Sequence, residues 1–170
     1  MRDLIEANVH FLGQAKSLLQ MLDDGAYAKS DEVNDRASIG QHIRHCLDHY
    51  LSFLKGLPER AIDYNERERA ENVECLTDCA LGILQEIQKG LANLKQGIVR
   101  KEVKVRMDCG EEETGWQKST IGRELQFLVG HTVHHYAMIS GIAREHGVNL
   151  GAEFGIAPST LKYRKMLNID

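Results

Sequence analysis

The sequence is short of the features that mark secreted, membrane-spanning and nucleic-acid-binding proteins. It has 4 cysteines in 170 residues, too sparse for a disulfide framework, so reduced thiols in a cytoplasm are the simplest interpretation. No apolar run approaches the roughly 18 residues that a membrane span needs. Lysine and arginine total 21 against 25 aspartate and glutamate, and the net charge of -4 predicts no nucleic-acid partner.

The chain does have enough apolar sequence for one packed domain. Hydrophobic residues make up 42% of it and recur at helical spacing in four long segments. These predicted helices run from about Asp3 to Leu22, Ser38 to Leu57, Glu71 to Lys95 and Thr120 to His146. The first lacks the basic start and continuous apolar run of a signal peptide, so we interpret it as a core helix. We expect a single all-α domain over residues 1–170.

Three stretches depart from the helical pattern. Residues 59–71, which include the charged run 63–69, predict a long crossover, and we favour a solvated loop over a substrate-contacting one. Alternating residues from Ile98 to Met107 predict an extended segment, with at most a small β-hairpin between helices three and four. Residues 148–170 form a glycine-containing tail with a short helix at its end, which we expect to pack on the bundle.

The fourth predicted helix places two imidazoles and a carboxylate on its apolar side. His131 and His135 lie one turn apart, about 6 Å along the axis, and can converge on a single metal ion. Glu124 shares that face but lies roughly 10 Å down the axis from His131. It fits a role beside the site, or as a proton acceptor, better than direct ligation. A buried ion pair with Arg44 is the structural alternative.

The second predicted helix adds a stripe of three histidines, His42, His45 and His49, along one edge of its apolar face. Such a stripe can be a solvated polar flank, yet each imidazole could also reach a neighbouring helix. Asp48 could accept a hydrogen bond from a ligating imidazole or remain exposed. The residues alone therefore leave the third metal ligand open.

Two motifs resemble those of the DinB-like (DinB/YfiT-like) metalloprotein superfamily. The stretch 38–48 is similar to the family's Ser, six residues and His, with Asp three further on. The stretch 130–135 is similar to its Asn-His-x-x-x-His. Position by position, the resemblance implies that His45, His131 and His135 form the metal-binding triad. It also implies an up-up-down-down four-helix bundle with a long crossover.

The resemblance further implies a metal-dependent enzyme of the thiol-transferase or hydrolase type that acts on a small molecule. Zinc is favoured on availability, with nickel or iron as alternatives, and a low-molecular-weight thiol is a candidate cosubstrate. Glu124 or His49 would then transfer protons. One alternative is a non-catalytic metal-binding or stress-response module, closed by Glu124 or His42 as a fourth ligand. Another is a plain helical interaction domain.

Relatives in this superfamily are often dimeric, and the fourth helix offers a candidate surface for such contacts. Val129 and Tyr136 lie off its inward face. We therefore expect helices one and four to form a two-fold homodimer through leftover apolar surface.

Overall fold

The computed structural model describes residues 4–30, 36–66, 70–95, 97–110 and 114–167. In chain order its helices are α1 (Leu4–Leu19), α2 (Asp24–Ala28), α3 (Ile39–Gly56), α4 (Glu71–Cys75), α5 (Thr77–Ala92), α6 (Ile121–Glu145) and α7 (Pro158–Met166). The strands are β1 (Ala61–Asp63), β2 (Glu102–Arg106) and β3 (Gln117–Thr120). The predicted helical bundle is confirmed. No helix within the described residues combines the length and apolarity that crossing a membrane requires.

The four long helices pack so that α1 and α3 each contact both α5 and α6. The core between them consists of buried aliphatic and aromatic side chains from all four. α3 and α6 run in opposite directions, because His42 lies beside His135 while His49, two turns later, lies beside His131. This antiparallel pair carries all of the histidines that the sequence singled out on helices two and four.

α1 and α6 run in the same direction. The side-chain amide of Asn8 donates a hydrogen bond to the carbonyl of Leu125 at 3.1 Å, near the start of α6. Further along both helices, the hydroxyl of Tyr136 donates to the carbonyl of Phe11 at 3.0 Å. Contacts therefore advance together along the two helices.

α5 ends close to the start of α6. A turn of 3₁₀-helix, Ile98–Arg100, follows α5, and a Cβ placed on Gly122 would lie 2.9 Å from the carbonyl oxygen of Val99. α5 therefore points the same way as α3. The directions along the chain are down, up, up, down, which corrects the up-up-down-down order that the resemblance implied. Since α3 and α5 are parallel, the chain must travel back between them, and this is the predicted long crossover.

Side-chain caps fix where the two histidine-bearing helices begin. Ser38 and Gln41 form the predicted capping box at α3: the backbone N–H of Gln41 donates to Ser38 Oγ at 3.0 Å, and that of Ser38 donates to Gln41 Oε1 at 2.9 Å. At α6, the hydroxyl of Thr120 accepts from the backbone of Arg123 at 3.2 Å.

A buried set of hydrogen-bonded side chains fixes the position of α6 along the bundle axis, its height, relative to α1 and α3. The hydroxyl of Tyr50 donates to Asn8 Oδ1 at 2.8 Å, and the hydroxyl of Thr132 lies 3.4 Å from Tyr50 Oη. All three side chains are buried, where an unpaired polar group would be costly. The register that satisfies them also places His131, the neighbour of Thr132, opposite α3.

The predicted third helix is in fact two helices. Leu76 has an extended backbone, with φ -122 and ψ 120, and separates α4 from α5. α4 is held on α2 and on the start of α3 instead: Tyr27 of α2 donates to the carbonyl of Val73 at 2.7 Å, and Arg44 of α3 donates to the carboxylate of Glu74 at 2.6 Å. The sequence predicted one helix because apolar residues keep their helical spacing across the break.

The predicted hairpin is confirmed and carries a third strand. β2 pairs antiparallel with β3, while β1, a part of the crossover that was expected to be a loop, pairs parallel with β2. β1 passes close over the last turn of α3, since a Cβ on Gly56 would lie 2.4 Å from the carbonyl oxygen of Ala61. The sheet therefore caps the end of the bundle where α3 ends and α6 begins.

The apolar surface from which a dimer was predicted is not available at Tyr136. That residue is only 1% exposed, and its ring stacks on Phe154 of the tail with 4.8 Å between centroids. The argument through Tyr136 is therefore wrong. The homodimer itself stays a prediction, which the mass from light scattering at micromolar concentration would test.

Candidate metal centre

The three histidines of the motifs converge between α3 and α6. Ring centroids lie 4.9 Å apart for His45 and His131, 4.7 Å for His45 and His135, and 4.6 Å for His131 and His135. One nitrogen from each ring lies within 4.8 Å of the other two. Within the described ranges, this triad is the one set of three or more potential ligands that come so close together.

The electrostatics of the triad suit a cation. His131 Nε2 is buried and has no hydrogen-bond partner among the described residues, a situation that costs roughly 1–3 kcal/mol unless something binds it. Burial first, and then neighbouring imidazoles, lower the pKa of His131 to about 3 and that of His135 to about 4. Both rings are neutral near pH 7, the form in which imidazole ligates metal. These residues therefore fit a divalent ion.

His49 lies against the triad without belonging to it. It is 4% exposed, and its ring centroid is 4.2 Å from that of His131. Its Nδ1 lies 2.8 Å from the backbone carbonyl oxygen of His45. Because a carbonyl oxygen only accepts, Nδ1 carries the hydrogen, and Nε2 is the nitrogen that can take up a proton.

His42 contacts one member of the triad. Its Nδ1 lies 3.0 Å from Nδ1 of His135. Burial, followed by the charge of His134, lowers the pKa of His42. The set of mutually close ligand atoms includes neither His42 nor Glu124, so the expectation that one of them closes the triad has no support in the described part of the chain.

Glu124 is buried and accepts two hydrogen bonds. The hydroxyl of Tyr64 donates to its Oε2 at 2.9 Å, and the hydroxyl of Ser119 donates to its Oε1. The ring of Tyr64 in turn stacks on His49, with 5.5 Å between centroids and 26° between planes. Tyr64 therefore connects the carboxylate of Glu124 to His49, the residue that lies against the triad.

Arg44 is engaged away from Glu124. It forms ion pairs with Asp48 at 2.8 Å and with Glu74 at 2.6 Å. The expected alternative, a buried pair between Arg44 and Glu124, is therefore wrong. Asp48 serves as an acceptor for this guanidinium, which joins α3 to α4.

Tyr64 is the site residue that sequence reasoning missed. It belongs to the charged run 63–69, for which a solvated loop was favoured, yet it is 2% exposed. Its ring packs against those of both His49 and Phe127, with centroids 5.5 and 5.3 Å away. Residues 67–69 lie outside the described residues. The signal in the sequence was a single aromatic residue within an otherwise polar run.

The fold and the site together define a helical bundle with a histidine triad that can hold a metal ion. The sequence profile of the DinB family matches residues 3–152, which is most of the chain. The chain belongs to the DinB family, as its two motifs predicted.

Two known proteins are similar to parts or to the fold of this chain. The fold is similar to that of a DinB-like protein, YjoA, from Bacillus subtilis, with a TM-score of 0.65 and 16% identity over 86% of this chain and 93% of that one. At this identity the likeness shows the fold alone. A stretch of 59 residues is 46% identical to FK506-binding protein 5 from Rhizopus delemar; it is 35% of this chain and only 15% of that curated relative's length.

Proposed function

We propose that this chain binds a divalent metal ion through His45, His131 and His135 and uses it in a reaction of the thiol-transferase or hydrolase type on a small molecule. The observation that carries the proposal is the convergence of the imidazoles of His45, His131 and His135, with Nε2 of His131 buried and without a hydrogen-bond partner among the described residues. Zinc is the proposed ion on availability, with nickel or iron as alternatives, because imidazole suits all of them.

The composition of the triad favours an enzyme over a closed metal site. Structural zinc sites have four protein ligands, whereas catalytic sites keep three and leave a position for substrate or water. The described residues supply three. A divalent ion held there supplies a Lewis acid that lowers the pKa of a bound thiol or water.

His49 is the proposed proton acceptor. Its Nδ1–H is held by the carbonyl of His45, which orients the ring and leaves Nε2 as the basic nitrogen. In a transfer to an aryl chloride, the thiol proton passes to His49, a carbon–sulfur bond forms and chloride leaves. In the hydrolysis of an ester, the proton of the attacking water passes to His49 and the water oxygen bonds to the acyl carbon. The bond from that carbon to the alkoxy oxygen then breaks, and the alcohol leaves with the proton returned by His49.

The first test is metal content followed by thiol consumption. Protein purified without an affinity tag should contain about one divalent ion per chain by elemental analysis. Loaded protein should then consume glutathione in the presence of a chlorodinitrobenzene probe or hydrolyse an ester probe. A cobalt-substituted form should change its visible spectrum with azide if a position is open; an unchanged spectrum would favour the non-catalytic metal-binding or stress-response module. Protein that contains no metal would favour the last alternative, a plain helical interaction domain.

We predict that His49→Phe lowers turnover about 10²- to 10⁴-fold, the range that loss of a general base costs. Phenylalanine keeps the buried ring packed against Tyr64 and His131 but has no basic nitrogen. Metal content should stay at the wild-type value, measured on the same samples. His146→Phe, at the end of α6, is the control and should turn over as the wild type does. Equal activity of both variants would remove His49 from the reaction.

Glu124 is proposed to act on the site through Tyr64. Its carboxylate fixes the tyrosine hydroxyl, and the tyrosine ring supports the face of His49. We predict that Glu124→Leu, which removes the acceptor, and Tyr64→Phe, which removes the donor, each lower turnover by roughly 10-fold, as loss of an outer hydrogen-bond partner typically does. The double variant should be no slower than either single variant, because both break one link. Additive losses, or lower melting temperatures with unchanged turnover, would contradict this role.

A further inference from the structure

We propose that His42 is a positioning residue that sets the tautomer of His135. In this assignment His42 Nδ1 accepts the Nδ1–H of His135, and Nε2 of His135 is left as the metal ligand. The contact is close, with 3.0 Å between the two Nδ1 atoms and 5.2 Å between ring centroids. The inference rests on the proposed metal-binding function and adds a fifth histidine to the site, in a role different from those of the three ligands and of His49.

Counting donors determines the direction of this hydrogen bond. A bond between two nitrogens needs one N–H and one lone pair, and a neutral imidazole has one of each. If His42 donated, the only lone pair of His135 would be used on Nδ1 and its Nε2 would carry the hydrogen. His135 would then have no nitrogen for a metal. Only donation from His135 to His42 keeps a lone pair for the triad.

The position of His42 on α3 gives this helix two functions at the centre. One turn after His42 comes His45, which belongs to the triad itself. α3 therefore contributes one ligand and also holds a ligand of α6 in place. An imidazole acceptor is neutral, unlike the carboxylates that often support metal-bound histidines. An imidazole acceptor adds no negative charge to the site. Binding of anionic ligands such as thiolates is therefore more favourable than it would be beside a carboxylate.

The tautomer can be measured in the metal-free wild type. Long-range ¹H–¹⁵N correlation spectra at about pH 8, above the ordinary imidazole pKa of about 6.5, distinguish Nδ1–H from Nε2–H rings. We expect His135 to carry its hydrogen on Nδ1 and His42 on Nε2. The reverse assignment would overturn the inference, and this measurement depends on neither a variant nor a bound metal.

Variants at His42 test the consequence for affinity. In competition with a chromophoric chelator, His42→Leu should bind zinc roughly 10- to 100-fold more weakly than the wild type. His42→Gln should recover most of that loss, because its amide oxygen accepts a hydrogen bond. His146→Leu is the matched control and should bind as the wild type does. Melting curves establish that each variant is folded.

The outcomes separate this inference from the proposed function. If the triad variants lose zinc while His42→Leu binds as the wild type does, the inference about His42 fails alone. Equal losses in His42→Leu and His42→Gln would give His42 a packing role and also overturn it. A wild type that binds none of zinc, nickel or iron would overturn the proposed function and this inference together.

Discussion

Alanine in place of His131 should abolish stoichiometric metal binding at neutral pH. Nε2 of this residue is buried without a partner, and its pKa is lowered to about 3, so it is a ready ligand with nothing else to bind among the described residues. Its loss removes one of three ligands. The effect should therefore exceed the roughly 10- to 100-fold that an outer hydrogen-bond partner is worth. His45→Ala and His135→Ala should behave alike.

Elemental analysis after dialysis measures the loss, and thermal melting gives a second readout. Zinc at about 1,000 times its Kd should stabilise the wild type by about 4 kcal/mol and leave the triad variants unchanged. His10→Ala and His146→Ala lie outside the triad and serve as controls that should retain metal. Wild-type metal content in all three triad variants would refute the assignment.

Two members of the triad could be predicted from local information, because His131 and His135 are one turn apart on a strongly periodic helix. The third, His45, was implied only by the family resemblance of the motif on α3. The contacts of His42 with His135 and of His49 with His131 could not be predicted in the same way. They depend on the height of α6 against α3, which the buried contact between Tyr50 and Thr132 helps to set. No periodicity within either helix encodes that height.

The directions of the helices and the strand within the crossover could not be predicted from the sequence, for related reasons. An amphipathic pattern reads the same from either end, so it does not reveal that α1 runs parallel to α6. β1 has three residues, and its partner lies far along the chain, with Ala61 opposite Lys104. A short strand paired at long range gives no local signal. Tyr64, which follows β1 into the site, was missed with it.

The largest stability effect is expected from Gly40→Ala. Gly40 is the second residue of α3, and an added Cβ would lie 1.9 Å from the backbone oxygen of Glu74 and 2.8 Å from its carbonyl carbon. A backbone group cannot rotate away as a side chain can, so α4 must shift from α3. Overpacking of this kind costs roughly 1–3 kcal/mol, occasionally more. At about 3 kcal/mol, the melting temperature should fall by roughly 6–12 °C.

Gly82→Ala in α5 is the matched control, since nothing lies within 4 Å of its Cβ position. Alanine there should add roughly 0.5–1 kcal/mol through helix propensity. The two substitutions should also differ at the metal centre. Displacement of α4 strains the pair between Arg44 and Glu74, which joins α4 to the part of α3 next to His45. Zinc affinity should therefore fall in Gly40→Ala and stay constant in Gly82→Ala. A Gly40→Ala protein that melts and binds zinc as the wild type does would show that close packing of α4 on α3 is dispensable for the site.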